Sequence, residues 1–425
     1  MAGGVILGEQ SKGPVRTSLY GWLVFALSFG LLISDYMARQ VLNAVFPLLK
    51  SEWDLTDAQL GLLSGIVAIM VGLLTFPLSL AADRWGRARS LALMAILWSL
   101  ATLFCSIAQS FDAMLIGRAL VGVGEAAYGS VGIALVISVF PHRLRATLSA
   151  AFMAGGLFGQ VLGVALGGQI AAAHGWRAAF MVIGVSGLVL GLLYPLLVRD
   201  RKIAAISGRS STQSPTLTFG ALKQLFASPS VKLAYLGSGL QMFAAGALPA
   251  WLPSYFNRYY HLPLDQAGRR AALLLMVCGV GMILCGMLSD RMTRGRPEHK
   301  IRLAMFYSLG TAASLTLAFA LPAGPAQMLL LGIAMFLVAA TTGPAGAMVA
   351  NLTPLALHGS AFATLTLANN VVGLAPGPIL TGRFADSLGL LGAVQLLPIP
   401  CLLSALVFAL MQRSYLTDLD QKATA

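Results

Sequence analysis

The chain has 425 residues, of which 57% are hydrophobic and only 10% are charged, and it contains 46 Gly and 19 Pro. A composition this apolar excludes a soluble globular domain. Glycine and proline are commoner in transmembrane helices than in soluble ones, so we expect a polytopic membrane protein. The formal net charge of +13 would suggest a nucleic-acid partner unless the basic residues follow a membrane topology.

Apolar stretches long enough to cross about 30 Å of hydrocarbon recur along the whole chain. We predict an all-α membrane protein with twelve transmembrane helices, and their approximate bounds are 20–49, 58–82, 88–110, 112–140, 146–173, 177–198, 230–257, 268–289, 301–322, 325–350, 358–382 and 388–411. A polar, basic segment rich in Ser and Thr divides six helices from six. The predicted organisation is an N-tail (1–19), an N-terminal six-helix bundle (20–198), a central loop (199–229), a C-terminal six-helix bundle (230–411) and a C-tail (412–425).

The basic residues follow the predicted topology. Most of the 28 Lys and Arg residues fall in the two tails and in the even-numbered loops. This is the positive-inside pattern, which predicts that both termini lie in the cytoplasm. The basic charge therefore sets the topology and indicates no nucleic-acid partner. We expect a multi-pass protein of the bacterial inner (cell) membrane.

Four charged residues lie inside predicted spans, Asp35 and Arg39 in the first and Arg118 and Glu125 in the fourth. Each costs roughly 2.5–3.5 kcal/mol at the bilayer centre on insertion scales, and the usual reason for such a residue is an ion, proton or substrate pathway. The spacing of Asp35, Arg39 and Asn43 puts them on one helix face, and Arg118 and Glu125 share a face of the fourth helix. Both acids lie about 20 Å along helices that run in opposite directions, so they could meet near mid-membrane.

Two opposing effects act on these carboxyl groups. Burial disfavours the charged carboxylate and a neighbouring arginine favours it, so a conformational change can alter the balance. We therefore predict that Glu125 and Asp35 are proton-coupling residues and that Arg118 is the partner of Glu125. Protonation of one acid leaves the four charges at +1, which would favour an anionic substrate group. Arg39 either pairs with Asp35 or meets that anion; the alternative for all four residues is a static salt-bridge cluster.

Both halves repeat an Asp-Arg motif directly after their second predicted helix, at Asp83 and at Asp290. An even number of helices per half gives both halves the same orientation, as in parallel repeats about an axis along the membrane normal. The acid can cap the next helix or pair with an Arg across the half-to-half interface, whereas the alternative is that the Arg residues only enforce topology. The predicted conformational gating residues are Asp83, Arg84, Gly86, Arg87, Asp290 and Arg291.

Twelve helices, a central loop and a duplicated motif resemble the major facilitator superfamily across nearly the whole chain. Residues 117–125 match the fourth-helix Arg motif of that superfamily. Within it, residues 122–128 resemble the Gly-Glu-Ala-Ser-Tyr element of spinster-like transporters, and residues 251–253 resemble their seventh helix. That group usually has Asn-Tyr-x-Asp-Arg in the first helix. This chain has alanine before Arg39, and an acid, Asp35, occupies the Asn position.

The resemblance implies a fold of two pseudo-symmetric six-helix bundles and a proton-coupled secondary transporter that works by alternating access. The spinster-like group implies an amphipathic, lipid-like substrate such as a lysolipid or sphingolipid. The paired arginines instead suit symport of a small organic anion, a carboxylate or sugar acid, and a drug or metabolite exporter is a further alternative. Candidate substrate-binding residues are Arg39, Arg118, Asn43, Tyr36, Tyr128, Gln241, Trp251, Asn369 and Asn370.

The rival from another class is a polytopic membrane enzyme that uses paired carboxylates, such as an intramembrane hydrolase. The duplicated Asp-Arg motif has no role in such an enzyme, so we predict that the chain is not an enzyme. No CxxC or His-rich spacing occurs, and we predict no metal and no cofactor. The expected partners are the substrate and protons, and we expect a monomer.

Overall fold

The computed structural model describes residues 19–207, 225–226, 228–292, 298–354 and 357–424, without the side chains of residues 83, 142, 146, 204–207 and 420–424. These ranges are mostly helical and contain no strand. The helices are α1 (Leu19–Trp53), α2 (Asp57–Trp85), α3 (Arg87–Ser106), α4 (Phe111–Glu125), α5 (Tyr128–Val139), α6 (His142–Leu197), α7 (Asp200–Ser207), α8 (Pro229–Tyr259), α9 (Leu264–Met292), α10 (His299–Ala320), α11 (Pro325–Val338), α12 (Thr342–Leu352), α13 (His358–Ala368), a π-helical segment (Asn369–Leu374), α14 (Pro376–Val394) and α15 (Pro398–Thr424).

Nine helical stretches in the described ranges are long and apolar enough to cross a membrane. One of them, Arg143–Leu197, corresponds to two predicted helices, the fifth and the sixth. Gly175, with a φ of 83°, divides this stretch of α6 into those two helices. The seventh and eleventh predicted helices correspond to α8 and to α13–α14, which are not among the nine. Together these stretches account for the twelve predicted helices.

Several predicted boundaries differ from the structure, and the largest differences are at the eleventh helix, the central loop and the C-tail. The predicted central loop begins with a helix, α7 (Asp200–Ser207). The eleventh helix continues beyond residue 382, because α14 stays helical up to Gly389, where φ is 73°. The predicted C-tail is largely helical, because α15 continues to Thr424. Tyr415 on this extension is fully buried, and the Asp418 carboxylate accepts hydrogen bonds from Ser228 Oγ (2.6 Å) and Ser230 N (3.0 Å). The extension is therefore docked on the start of α8. Residues 1–18 of the predicted N-tail, and 208–224 and 227 of the predicted central loop, lie outside the described ranges.

Contacts of α1, α2 and α6 with helices of the C-terminal half join the two halves. α2 packs along the π-helical segment and α14, α6 packs against α9, and α1 packs against α8. Glycines allow these helices to approach closely, because a Cβ on Gly61 would collide with the backbone of Pro378 and one on Gly168 would lie only 3.0 Å from Leu264 O of α9. Small residues serve the same purpose at helix contacts in membranes generally. The candidate substrate cavity lies inside this interface.

Candidate functional site

The structure brings two carboxyl groups together inside the N-terminal half. Asp35 on α1 and Glu125, the last residue of α4, are 6% and 7% exposed. They lie close enough for a hydrogen bond when one of them carries a proton. Among the described residues, Asp35 Oδ1 and Glu125 Oε1 have no hydrogen-bond donor. Electrostatic repulsion disfavours two negative charges in such a place.

Arg118 binds backbone carbonyls rather than a carboxylate. The residue is 0% exposed. Its Nη1 donates to Ala38 O (2.8 Å), its Nη2 to Arg39 O (2.9 Å) and its Nε to Leu63 O (3.4 Å). Arg118 therefore ties α4 to α1 and α2, and it acts on Glu125 through its charge at a distance. Such carbonyl partners have no signature in a sequence, because every residue carries one.

A cavity of about 180 Å³ lies between the two halves. Its wall from the N-terminal half is polar and its wall from the C-terminal half is apolar. The lining residues are Tyr36, Arg39, Gln40, Asn43, Ser64 and Gln160 on the first wall, and Ala245, Gly246, Pro249, Leu374 and Pro378 on the second. Arg39 acts electrostatically on both Asp35 and Glu125, and it forms no ion pair within 4.0 Å in the part of the chain that the structure describes. Three predicted substrate-binding residues, Tyr36, Arg39 and Asn43, thus line this central cavity.

A chain of hydrogen bonds organises the polar wall. Ser64 Oγ donates to Asn43 Oδ1 (3.0 Å), Asn43 Nδ2 donates to Gln40 Oε1 (2.6 Å), and Gln40 Nε2 donates to Gln160 Oε1 (3.4 Å). Sequence reasoning singled out Asn43 and missed the other three. The available signal for Gln160 was a polar residue inside the apolar, glycine-rich fifth helix. That signal does not show which way the side chain points.

Three further predicted substrate-binding residues are buried in helix contacts away from the cavity lining. Tyr128 Oη donates to Ser28 O (2.8 Å) within the N-terminal half. Gln241 donates to a hydroxyl and a carbonyl within the C-terminal half. Trp251 Nε1 donates to Pro378 O (3.1 Å). In this conformation these contacts support packing.

Asn369 and Asn370 open the π-helical segment, which lies against α2 of the other half. Asn370 Nδ2 donates to Thr366 O (2.9 Å). The amide oxygens of both residues are buried and have no donor among the described residues. Single π-helical turns inside α-helices occur frequently at functional sites. The two asparagines therefore keep free acceptors at the interface, although they do not line the central cavity.

Charged contacts join the two halves at one end of the interface, the end that carries the α1–α2 loop. Asp57 at the start of α2 binds Arg258 of α8 through two bonds (2.8 and 2.7 Å) and also Lys50 (2.6 Å). In return, the Asp386 carboxylate of α14 accepts from the backbone N–H groups of Asp57 (2.7 Å) and Ala58 (3.1 Å). A carboxylate at a helix N-terminus is a favourable partner for these groups. We call Asp57, Arg258 and Asp386 the interhalf latch.

The first copy of the duplicated motif forms a tight connection between α2 and α3. Gly86 has a φ of 99°, a conformation that favours glycine. The Asp200 carboxylate at the start of α7 accepts from Ala88 N (2.9 Å) and caps α3. A Cβ on Gly86 would lie 2.7 Å from Asp200 Oδ2, so the Asp200 side chain would have to move to accommodate it. The side chain of Asp83 lies outside the described part of the chain.

The other predicted gating residues lie on the surface or at helix ends. Arg84 is exposed, and Arg87 is the first residue of α3. In the second copy, the Asp290 side chain is 78% exposed and lies 3.9 Å from Lys300 Nζ, and Arg291 is exposed. The ion pair of Asp290 is thus formed within the C-terminal half.

The described residues offer no metal site. No group of three or more His, Cys, Asp or Glu residues in this part of the chain could hold a metal ion. The four cysteines are free thiols. The groups in the cavity are a guanidinium, amides and hydroxyls, which suit a hydroxylated organic anion.

Two six-helix bundles that enclose a cavity at their interface define the class of polytopic membrane transporters. Residues 27–375 match the sequence profile of the Major Facilitator Superfamily. The chain belongs to the major facilitator superfamily, and the predicted fold is confirmed. It is therefore a multi-pass membrane transporter and not an enzyme.

Individual relatives agree with this assignment. A probable L-galactonate transporter of Escherichia coli (strain K12) is 25% identical over 73% of this chain and 72% of its own length. Protein spinster of Drosophila melanogaster is 26% identical over 71% of this chain and 52% of its own length, so this chain spans about half of that relative. A crystal structure of a bacterial homolog of the human lysosomal transporter Spinster, inward-facing and unoccupied, has a TM-score of 0.82 at 21% identity and covers 94% of this chain and 98% of that one. The predicted resemblance to spinster-like proteins is confirmed.

Proposed function

We propose that the chain is a proton-coupled symporter of a small, hydroxylated organic anion of the sugar-acid type. The observation that carries this proposal is the central cavity, where Arg39 and a chain of amides face an apolar wall beside two buried carboxyl groups. A relative that is a probable L-galactonate transporter supports the same substrate class.

The polar wall has the chemistry that a sugar acid requires. Arg39 has no carboxylate partner among the described residues, so the carboxylate of a substrate can pair with its guanidinium through two parallel hydrogen bonds. Gln40, Asn43 and Gln160 offer amide donors and acceptors to the hydroxyl groups. The apolar wall, which includes Leu374, can pack against the C–H face of the carbon chain.

The size of the cavity supports the smaller of the two substrate classes. Its volume of about 180 Å³ is below the roughly 300–1,000 Å³ of pockets that enclose drug-sized ligands. A lysolipid with its acyl chain is at least drug-sized, so this cavity does not enclose it, whereas a six-carbon sugar acid is smaller. We therefore favour the sugar acid over the amphipathic substrate that the spinster resemblance implies.

Charge balance couples the substrate to a proton. The charges of Asp35, Glu125, Arg39 and Arg118 sum to zero when both acids are ionised. A bound anion pairs with the guanidinium of Arg39. The positive charge of Arg39 then stabilises the ionised forms of Asp35 and Glu125 less. Substrate binding then favours uptake of one proton by Asp35 or Glu125. Proton and anion cross together, and the site returns to its original charge after their release.

Alternating access requires the interface to open at one end while it stays closed at the other. The interhalf latch closes the end that carries the α1–α2 loop. The positive-inside pattern favours the cytoplasm at the opposite end, so we assign this conformation as inward-facing. The duplicated Asp-Arg motifs belong to that opposite end and would close it in the other conformation. We also propose a bacterial inner-membrane location, cytoplasmic termini and a monomeric transporter.

Thermal unfolding of the purified protein with ligands tests the substrate class. L-galactonate and related hexonates should raise the unfolding midpoint, because a ligand at about 100 times its Kd stabilises the folded state by ~2.7 kcal/mol. The corresponding hexitol, which lacks the carboxylate, should give a much smaller shift, and Arg39→Gln should remove the difference between the two. Stabilisation by lysophosphatidylcholine and by no sugar acid would favour the amphipathic substrate instead.

A further inference from the structure

The C-terminal half carries a second cavity, a groove of about 540 Å³ whose lining is separate from that of the central cavity. It lies between α9 and the start of α11. Arg270, Leu273, Leu274 and Val277 form one wall and follow the i, i+3, i+4, i+7 spacing of a single helix face. Leu273 is 61% exposed, so the groove is open on the membrane-facing side of the bundle. The wall is basic at one end and apolar along the rest.

The basic end has an arginine without a carboxylate. In the described part of the chain, Arg270 forms no ion pair, whereas its neighbour Arg269 pairs with Asp265. The guanidinium of Arg270 lies 5.8 Å from the centre of the Tyr260 ring, which also lines the groove. Gly324 at the N-terminus of α11 borders the same end, and a helix N-terminus adds a partial positive charge. The groove therefore presents positive potential to a group bound there.

The depth of Arg270 matches the boundary between headgroups and hydrocarbon. Arg270 is six residues from the start of α9 at Leu264, which corresponds to about 9 Å along the helix. The polar region of a bilayer is roughly 5–7 Å thick on each side of the hydrocarbon. Leu274 and Val277 lie one and two turns deeper, at the level of acyl chains. An arginine near a helix end can extend its guanidinium to the headgroup level, where an anionic headgroup is a favourable partner.

We propose that this groove binds one anionic phospholipid, with the phosphate at Arg270 and an acyl chain along Leu273 and Val277. The positive end selects the charge of the headgroup, and the apolar wall accepts the chain. On the cytoplasmic side of membranes, basic pockets between transmembrane helices bind anionic lipid headgroups in this way, and we propose the same chemistry at the latch end, where α9 begins. This lipid occupies a site on the membrane face and is distinct from the transported anion, so the proposal does not depend on the proposed function.

Native mass spectrometry of the detergent-solubilised full chain tests this site, with phosphatidylglycerol and phosphatidylcholine of matched acyl chains as probes. Arg270→Gln should weaken binding of the first phosphatidylglycerol about fivefold, the effect expected for loss of one arginine–phosphate contact. Arg269→Gln is the matched control, since it removes the same charge one residue away from the groove, and it should leave that affinity unchanged. Val277→Trp, which fills the apolar part, should weaken binding of both lipids.

Three outcomes would overturn the proposal. Equal effects of Arg269→Gln and Arg270→Gln would mean a general attraction between surface charge and the lipid. If the unmodified protein binds the first phosphatidylglycerol and the first phosphatidylcholine with equal affinity, the groove does not select the charge of the headgroup. If the mass spectra show a dimer of the chain and this dimer binds no phosphatidylglycerol, a second copy of the chain covers the groove. Thermal unfolding of each variant checks that it is folded.

Discussion

Replacing Glu125 with glutamine should abolish proton-driven accumulation of the substrate while exchange of substrate across the membrane continues. The amide keeps the shape of the side chain at this buried position but cannot take up a proton. With one proton per anion, a gradient of about 1 pH unit supports roughly tenfold accumulation. Uptake into proteoliposomes should therefore fall to simple equilibration, while counterflow of labelled substrate, which needs no net proton movement, is retained. Asp35→Asn should likewise lose proton-driven accumulation and keep counterflow.

Glu52→Gln provides the matched control. Glu52 is also on α1, but its carboxylate binds Trp176 and Arg177 within the N-terminal half and does not line the cavity. This variant makes the same change from carboxylate to amide and should keep proton-driven accumulation. Full coupling in both Glu125→Gln and Asp35→Asn would mean that the carboxyl pair only fixes the register of α1 and α4.

Breaking the interhalf latch should open the end of the interface that it closes. Asp57 is 4% exposed at its side chain and Arg258 is 26% exposed. Exposed ion pairs contribute about 0.2–1 kcal/mol, and breaking a buried pair costs about 3–5 kcal/mol. We expect an intermediate effect of ~1–3 kcal/mol for Arg258→Gln, which changes the ratio of the two conformations roughly 5- to 150-fold.

Electron–electron double resonance measures this change as a distance between the halves. Spin labels at the exposed positions Asp112 and Ala326, in a chain whose four cysteines are replaced by alanine, report on the latch end. Arg258→Gln should add a population at longer distance. Arg177→Gln, which breaks the Arg177–Glu52 pair within one half, should leave the distribution unchanged. An unchanged distribution in Arg258→Gln would show that the latch does not hold this end closed.

Helix periodicity explains why sequence reasoning brought the carboxyl groups together. Asp35 and Glu125 lie in long apolar helices, where spacing defines a face and residue count defines depth. The structure brings these two acids together. The breaks in the helices were harder to foresee: Gly389 adopts a left-handed conformation, and a π-helical turn begins at Asn369, although both lie in an apolar, helix-like stretch of sequence.

Other parts of the site have no signal in a single sequence. The partners of Arg118 are carbonyl oxygens, which every residue has. Asp57 and Arg258 are separated by 201 positions, and no local pattern indicates that they pair. Gln160 was visible only as a polar residue on a glycine-rich helix. Which of these residues face the cavity depends on how the helices pack. That packing involves contacts between the two halves, whose residues are far apart in the sequence.

The central claim is that one site couples movement of an organic anion to movement of a proton. The most direct test records the internal pH of proteoliposomes loaded with a pH-sensitive dye when L-galactonate is added outside without an imposed gradient. Symport predicts that the interior becomes acidic in step with uptake, and that the response is absent in Glu125→Gln. Uptake of L-galactonate without any change in internal pH would contradict the coupling of the carboxyl pair to transport.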